Sequence, residues 1–186
     1  MNTNRTLTQA IAIPAFATGL LLLIPLIAMQ FTDEVVWTTS DFIVAGTLLF
    51  GTGLTYKLIT RKSVVIAYRV AVGFALFTGL FLIWANLAVG IIGSENNPIN
   101  MMYFGVIIVG MIGAFIARFK SPGMAYTMFA MAIALALVAV IALISGMHQV
   151  PYSSVIEIVG VNGFFFMLFV VSALLFRYAS HVKVSG

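Results

Sequence analysis

Six apolar runs divide the chain, near residues 10–31, 38–60, 64–93, 101–118, 123–146 and 154–177. Each comes close to or exceeds the roughly 20 helical residues needed to cross a hydrocarbon core about 30 Å thick. Lipid offers the backbone no hydrogen-bond partner, so a spanning run is either a helix or a strand of a closed barrel. None of these runs alternates polar and apolar residues as a barrel strand does. The chain therefore reads as all-α: a polytopic membrane protein, a six-transmembrane-helix bundle forming a single integral membrane domain over residues 1–186. Composition agrees, with 62% hydrophobic and 8% charged residues, where a soluble domain carries about 25% charged. The polar stretches between runs are too short to build a separate soluble domain. The first run ends in "LIAMQF" without a small-residue cleavage pattern, so it is expected to remain as a span.

Charge sets the expected threading. If the chain starts inside, Arg5, Lys57, Arg61, Lys62, Arg69, Arg118, Lys120, Arg177 and Lys183 all fall on the cytoplasmic side, which accounts for all 9 basic residues. The 5 acids, Asp33, Glu34, Asp41, Glu95 and Glu157, all fall on the other. Short loops rich in Lys and Arg stay inside, so the expectation is N-in/C-in, with both termini cytoplasmic in a multi-pass cytoplasmic (inner) membrane protein.

The turns use familiar capping chemistry. Thr38 with Asp41, and Ser154 with Glu157, have the spacing of a capping box. Asn97-Pro98 and Ser121-Pro122 each place a cap residue ahead of a proline suited to the first helical turn. Pro14 falls near the expected start of the first helix and Pro25 inside it, where the carbonyl of Leu21 loses its partner. "RKSVVIAY" (61–68) and "RFKSPGMAY" (118–126) share Arg, Lys-Ser and Ala-Tyr. They are either parallel copies or two basic turns that drew on the same residues.

Candidate functional residues gather in "WANLAVGIIGSENNPINMMYFG", residues 84–105. Asn86 lies eight residues before Ser94, about 12 Å deep, and Asn162 lies five past Glu157, about 8 Å deep, at 1.5 Å per residue. A bare carboxamide at such depth seeks a partner. The two can face each other as glue, or they can line a polar pocket with Glu95 and Trp84. Trp84 is too deep for the interface unless Gly90 or Gly93 ends the helix early. Asp33, Glu34, Asp41 and Glu95, with Asn96 and Asn100, could offer oxygen ligands to a hard cation, but they match no calcium-loop spacing, and capping and solvation explain them better. Arg69, about one turn into the third run, can snorkel to the headgroups or contact a lipid phosphate.

Other chemistry has little to stand on. With no cysteine there is no thiolate, disulfide or iron–sulfur site. His148 and His181 both lie outside the runs, which disfavours a bis-histidine haem. Met124, Met128 and Met131 share one helix face and suit core filling better than a copper path, which would want Cys or His partners. No catalytic motif is present. No metal or cofactor is therefore expected, and nothing points to nucleic acid. Small residues repeat every four positions at Ala71, Ala75 and Gly79, at Gly110 and Ala114, and at Ala132 and Ala136. Such ridges let helices approach closely, within one chain, in a homo-oligomer or with a membrane-protein partner. Membrane lipids are the remaining expected partner.

"FTDEVVWTTSDF", "AGTLLFGTG" and "WANLAVGIIGSENNPINMMYFG" together resemble an uncharacterised family of small multi-pass bacterial inner-membrane proteins. The resemblance implies a bacterial cytoplasmic membrane and carries no functional residue with it. Three functions stay open. One is permeation or transport of a small solute or ion through an outward polar vestibule. Another is a non-catalytic accessory subunit of a membrane complex. The third is an interfacial enzyme acting on a lipid or quinone.

Overall fold

The computed structural model describes residues 3–61, 63–151 and 153–182, with side chains from residue 11 onward. Lys62, Lys183 and the side chain of Arg5 lie outside the described residues. What is described is helical, without strands: α1 (Thr3–Phe31), α2 (Thr39–Thr60), α3 (Ile66–Ala88), α4 (Met102–Ile116), α5 (Ser121–Ile144) and α6 (Val155–Val182). Together with the 3-10 turn Pro98–Met101 that leads into α4, these supply six segments long and apolar enough to cross a membrane. The chain divides into two compact units, Met1–Lys62 and Ser63–Gly186.

The first unit is a hairpin of α1 on α2. Thr38 and Asp41 open α2 as the expected capping box: the Asp41 carboxylate accepts from the Thr38 N–H at 2.7 Å and the Thr38 hydroxyl accepts from the Asp41 N–H at 3.4 Å. Because α1 begins at Thr3, Pro14 lies well inside it and not in its first turn. Its ring is accommodated by the partner helix. A Cβ on Gly53 would stand 3.2 Å from the Pro14 Cβ, and one on Gly46, two turns earlier on the same face, 3.4 Å from Leu22. Glycine thus sets how closely this hairpin packs.

The second unit is a four-helix bundle. Its neighbours run α3 to α6, α6 to α5 and α5 to α4, with a lighter α4–α3 contact completing the ring. The α4–α5 seam is antiparallel and built on glycine. A Cβ on Gly110 would meet Met131 Sδ at 2.5 Å, one on Gly113 would meet Thr127 Cγ2 at 2.6 Å, and one on Gly123 would meet the Ala117 Cβ at 2.7 Å. The small residues shown against α5 are therefore Gly110, Gly113 and, at the C-cap of α4, Ala117; the four-residue spacing suggested Gly110 with Ala114. Met124, Met128 and Met131 are all buried on α5, beside Ala132 and Leu135. Between α3 and α6, Phe81 packs on Phe164 and Phe165 with ring centroids 6.1 and 5.3 Å apart, and Tyr68 packs on Phe176 at 5.9 Å. Without a hydrophobic drive between helices in lipid, such close van der Waals fits hold the bundle.

The two ends of this unit differ in charge. At one end the α4–α5 turn places Arg118 and Phe119 in the left-handed region, φ 48° and 56°, and the Tyr68 hydroxyl donates to the Phe119 carbonyl at 2.6 Å. This end carries Arg69, Arg118, Lys120 and Arg177. At the other end the α3–α4 loop touches the α5–α6 loop, where Asn97 Nδ2 lies 3.6 Å from Met147 Sδ, and Glu95 and Glu157 stand there. Ser154 and Glu157 form the expected capping box, with the carboxylate accepting from Ser154 N–H at 2.6 Å and the hydroxyl from Glu157 N–H at 3.2 Å. Ser121 does not cap α5. Lys120 holds that position without a side-chain bond, and the buried Ser121 is already helical.

Candidate functional site

The acidic end of the bundle is closed by a tightly built loop. α3 stops at Ala88, not near residue 93, because the chain turns left-handed at Gly90 and again at Gly93, each with φ 70°. A Cβ on Gly90 would lie 2.5 Å from the Ser94 carbonyl carbon, so only glycine fits the turn. The reversal tucks Ile91 and Ile92 into the core, which leaves the N–H and carbonyl of Ile92 in need of partners. Asn100 supplies them. Its Oδ1 accepts from Ile92 N–H at 3.0 Å, and its Nδ2 donates to the carbonyls of Ile92 at 3.2 Å and Ser94 at 2.8 Å. Asn97 caps the 3-10 turn by accepting from Ile99 N–H at 3.2 Å, and Asn96 donates to Glu95 at 3.3 Å. Much of "SENNPIN" is thus turn chemistry.

Beneath this loop lie the intramembrane amides. Asn86, 5% exposed in the last turn of α3, donates Nδ2–H to the Asn100 carbonyl at 3.2 Å. Asn162, 3% exposed on α6, accepts from the Tyr103 hydroxyl at 2.9 Å and donates to its own helix at Ile158 O, 2.8 Å away. The two amides do not bond to each other. Each reaches the start of α4, three residues apart, so α3 and α6 are linked through Asn100 and Tyr103.

One group in this array lacks a partner. Asn86 Oδ1 is buried and accepts no hydrogen bond. Its orientation is not interchangeable with the amide nitrogen, because the Asn100 carbonyl can be met only by the NH₂ group. A buried acceptor left unmade costs about 1–3 kcal/mol. The neighbouring α5–α6 loop holds two more buried, unpartnered atoms, His148 Nδ1 and Ser153 Oγ. All three belong to the acidic end.

The remaining expected pocket residues stand elsewhere. Trp84 is 36% exposed, and two residues along a helix is a turn of about 200°, so it faces away from Asn86. The early end of α3 brings it within about 6 Å of the helix terminus, close to where an indole sits at a membrane interface. Glu95 is exposed at the loop tip, bonded to Asn96. Arg69 is exposed in the first turn of α3. No group of three or more His, Asp or Glu side chains gathers as a metal site among the described residues. Sequence reasoning counted Asn100 among possible oxygen ligands at the outer turn and passed over Tyr103. The signal was the one hydroxyl-bearing residue in the run 101–116, five residues past Asn97-Pro98. Compared with protein-family models, curated proteins and solved structures, the chain gave no match.

Proposed function

We propose that the chain is a cytoplasmic-membrane protein whose four-helix unit receives a small hydrogen-bond-donating solute from the extracytoplasmic side, as the entry site of a permeation route. Orientation follows from the basic end of the bundle, which the positive-inside bias turns toward the cytoplasm together with both termini. The observation that carries the reading is Asn86 Oδ1: a fixed, buried acceptor at the acidic end with no protein donor. In lipid such an atom asks for an N–H or O–H from outside the chain. Asn100 and the glycines hold the covering loop in place, and the α5–α6 loop that touches it carries the polar atoms of His148 and Ser153 at the same end.

A second reading, a non-catalytic accessory subunit, is favoured by what lies below the site. Leu135, Phe165, Phe169 and Phe176 are buried and fill the bundle toward its basic end, so passage requires those rings to move. The test is a thermal-shift screen of purified protein with small amides, primary amines and short polyols, followed by uptake of any stabilising solute into proteoliposomes. The proposal expects a stabilising solute whose effect is lost in Asn86→Leu while the variant still folds. Stabilisation unchanged by Asn86→Leu refutes the site, and specific binding without uptake selects the accessory reading.

A further inference from the structure

An open groove of about 600 Å³ lies at the basic end of the four-helix unit, lined by Val64, Val65, Ile66, Ala67 and Val70 where α3 begins, and by Leu175, Tyr178 and Val182 where α6 ends. Tyr68 and Phe176, in edge contact at 5.9 Å, hold the two helices together beside it. The walls are aliphatic apart from the exposed Tyr178 ring. An extended peptide seated here would find no sheet edge for its backbone groups, whereas a hydrocarbon chain needs none. The charge around it has one sign. Arg69, exposed, directly precedes the lining residue Val70, Arg177 directly precedes Tyr178, and the unit's two carboxylates, Glu95 and Glu157, lie at its other end.

We infer that this groove is a binding site for an anionic phospholipid of the cytoplasmic leaflet. One acyl chain lies along Val65, Ala67 and Leu175, and the phosphate meets Arg69 at the mouth. Arginine suits that place: its planar fork matches phosphate oxygens, and its stem can lie along apolar surface while the head stays at the interface. A basic rim over an apolar cleft between helices is the arrangement that selects acidic headgroups. The inference does not depend on Asn86, which sits at the opposite end.

The test uses the full chain, purified in mild detergent and incubated with phosphatidylglycerol or phosphatidylcholine of identical acyl chains. Lipid retention is read by native mass spectrometry and thermal stability in parallel. Phosphatidylglycerol should be retained several-fold more than phosphatidylcholine. Arg69→Gln should abolish the headgroup preference while leaving residual retention of both lipids. Ala67→Trp, which fills the groove, should lower retention of both. Equal retention of the two lipids by the unaltered protein overturns the inference without recourse to any variant, and so does a phosphatidylglycerol preference that survives both substitutions.

Discussion

The glycine seam between α4 and α5 allows a graded test of how the bundle is held. Gly113→Ala adds a methyl 2.6 Å from Thr127 Cγ2, 2.8 Å from its hydroxyl and 3.1 Å from its Cβ. Threonine is stiff about χ1, and a Cβ cannot rotate away, so the clash must be relieved by separating the helices. Overpacking of this kind costs about 1–3 kcal/mol, and alanine returns up to about 1 kcal/mol in helix propensity. With three atoms of a stiff side chain in the way, the cost falls in the upper part of that range, about 2–3 kcal/mol, and the net loss is about 1–2 kcal/mol. Gly110→Ala meets Met131 Sδ at 2.5 Å and Cε at 2.8 Å, but a methionine with three rotatable bonds can withdraw, so its loss should stay below about 1 kcal/mol. Gly105→Ala meets nothing within 4 Å and should be neutral or slightly stabilising. At about 2–4 °C per kcal/mol for a chain of this length, Gly113→Ala should lower Tm by about 2–8 °C. Thermal unfolding of the three variants in one detergent reads the series. Adding Thr127→Ala to Gly113→Ala should recover part of the loss, since it removes two of the three opposing atoms. Equal Tm values for Gly113→Ala and Gly105→Ala would refute the seam.

Three further outcomes are expected. Asn100→Ala strands the buried peptide of Ile92 and should cost about 1–3 kcal/mol, whereas Asn86→Leu removes one bond together with an unpartnered acceptor and should change stability by no more than about 1 kcal/mol; a larger loss for Asn86→Leu would contradict this ordering. Gly90→Ala combines a left-handed φ with a backbone clash and should lower stability by more than about 2 kcal/mol, measured by the same unfolding assay. In a chain without native cysteine, single cysteines at Ser94 and Lys120, both exposed, should react with an impermeant thiol reagent from opposite sides of sealed vesicles; labelling of both from one side would overturn the orientation.

What could be read from sequence was local or global, and what could not was lateral. The six helices follow from run length alone. The capping boxes at Thr38–Asp41 and Ser154–Glu157 follow from a three-residue spacing, because donor and acceptor belong to one turn. The end of α3 needed a decision between Gly90 and Gly93 as helix residues or as left-handed stops, and an apolar flank such as "VGIIG" argues for neither. Similar depth suggested that Asn86 would pair with Asn162. Depth says nothing of azimuth, and the partners lie at sequence separations of 14 and 59 residues. The division into two units was equally hidden, since every run is apolar on all sides and hydropathy does not record which runs pack together.

The ring order of the second unit has a consequence for how the protein is made. α6 lies between α3 and α5, yet it leaves the ribosome after both. Until it arrives, the larger of the two main α3 contacts in this unit is missing, and Phe81 lacks the rings of Phe164 and Phe165. The Asn86–Asn100 bond and the Asn100 clasp need nothing beyond residue 100, so that corner can assemble while synthesis continues. The Tyr103–Asn162 bond cannot form until α6 inserts. A chain that lacks α6 would therefore have a formed loop and an open side, the face of α3 that bears Phe81.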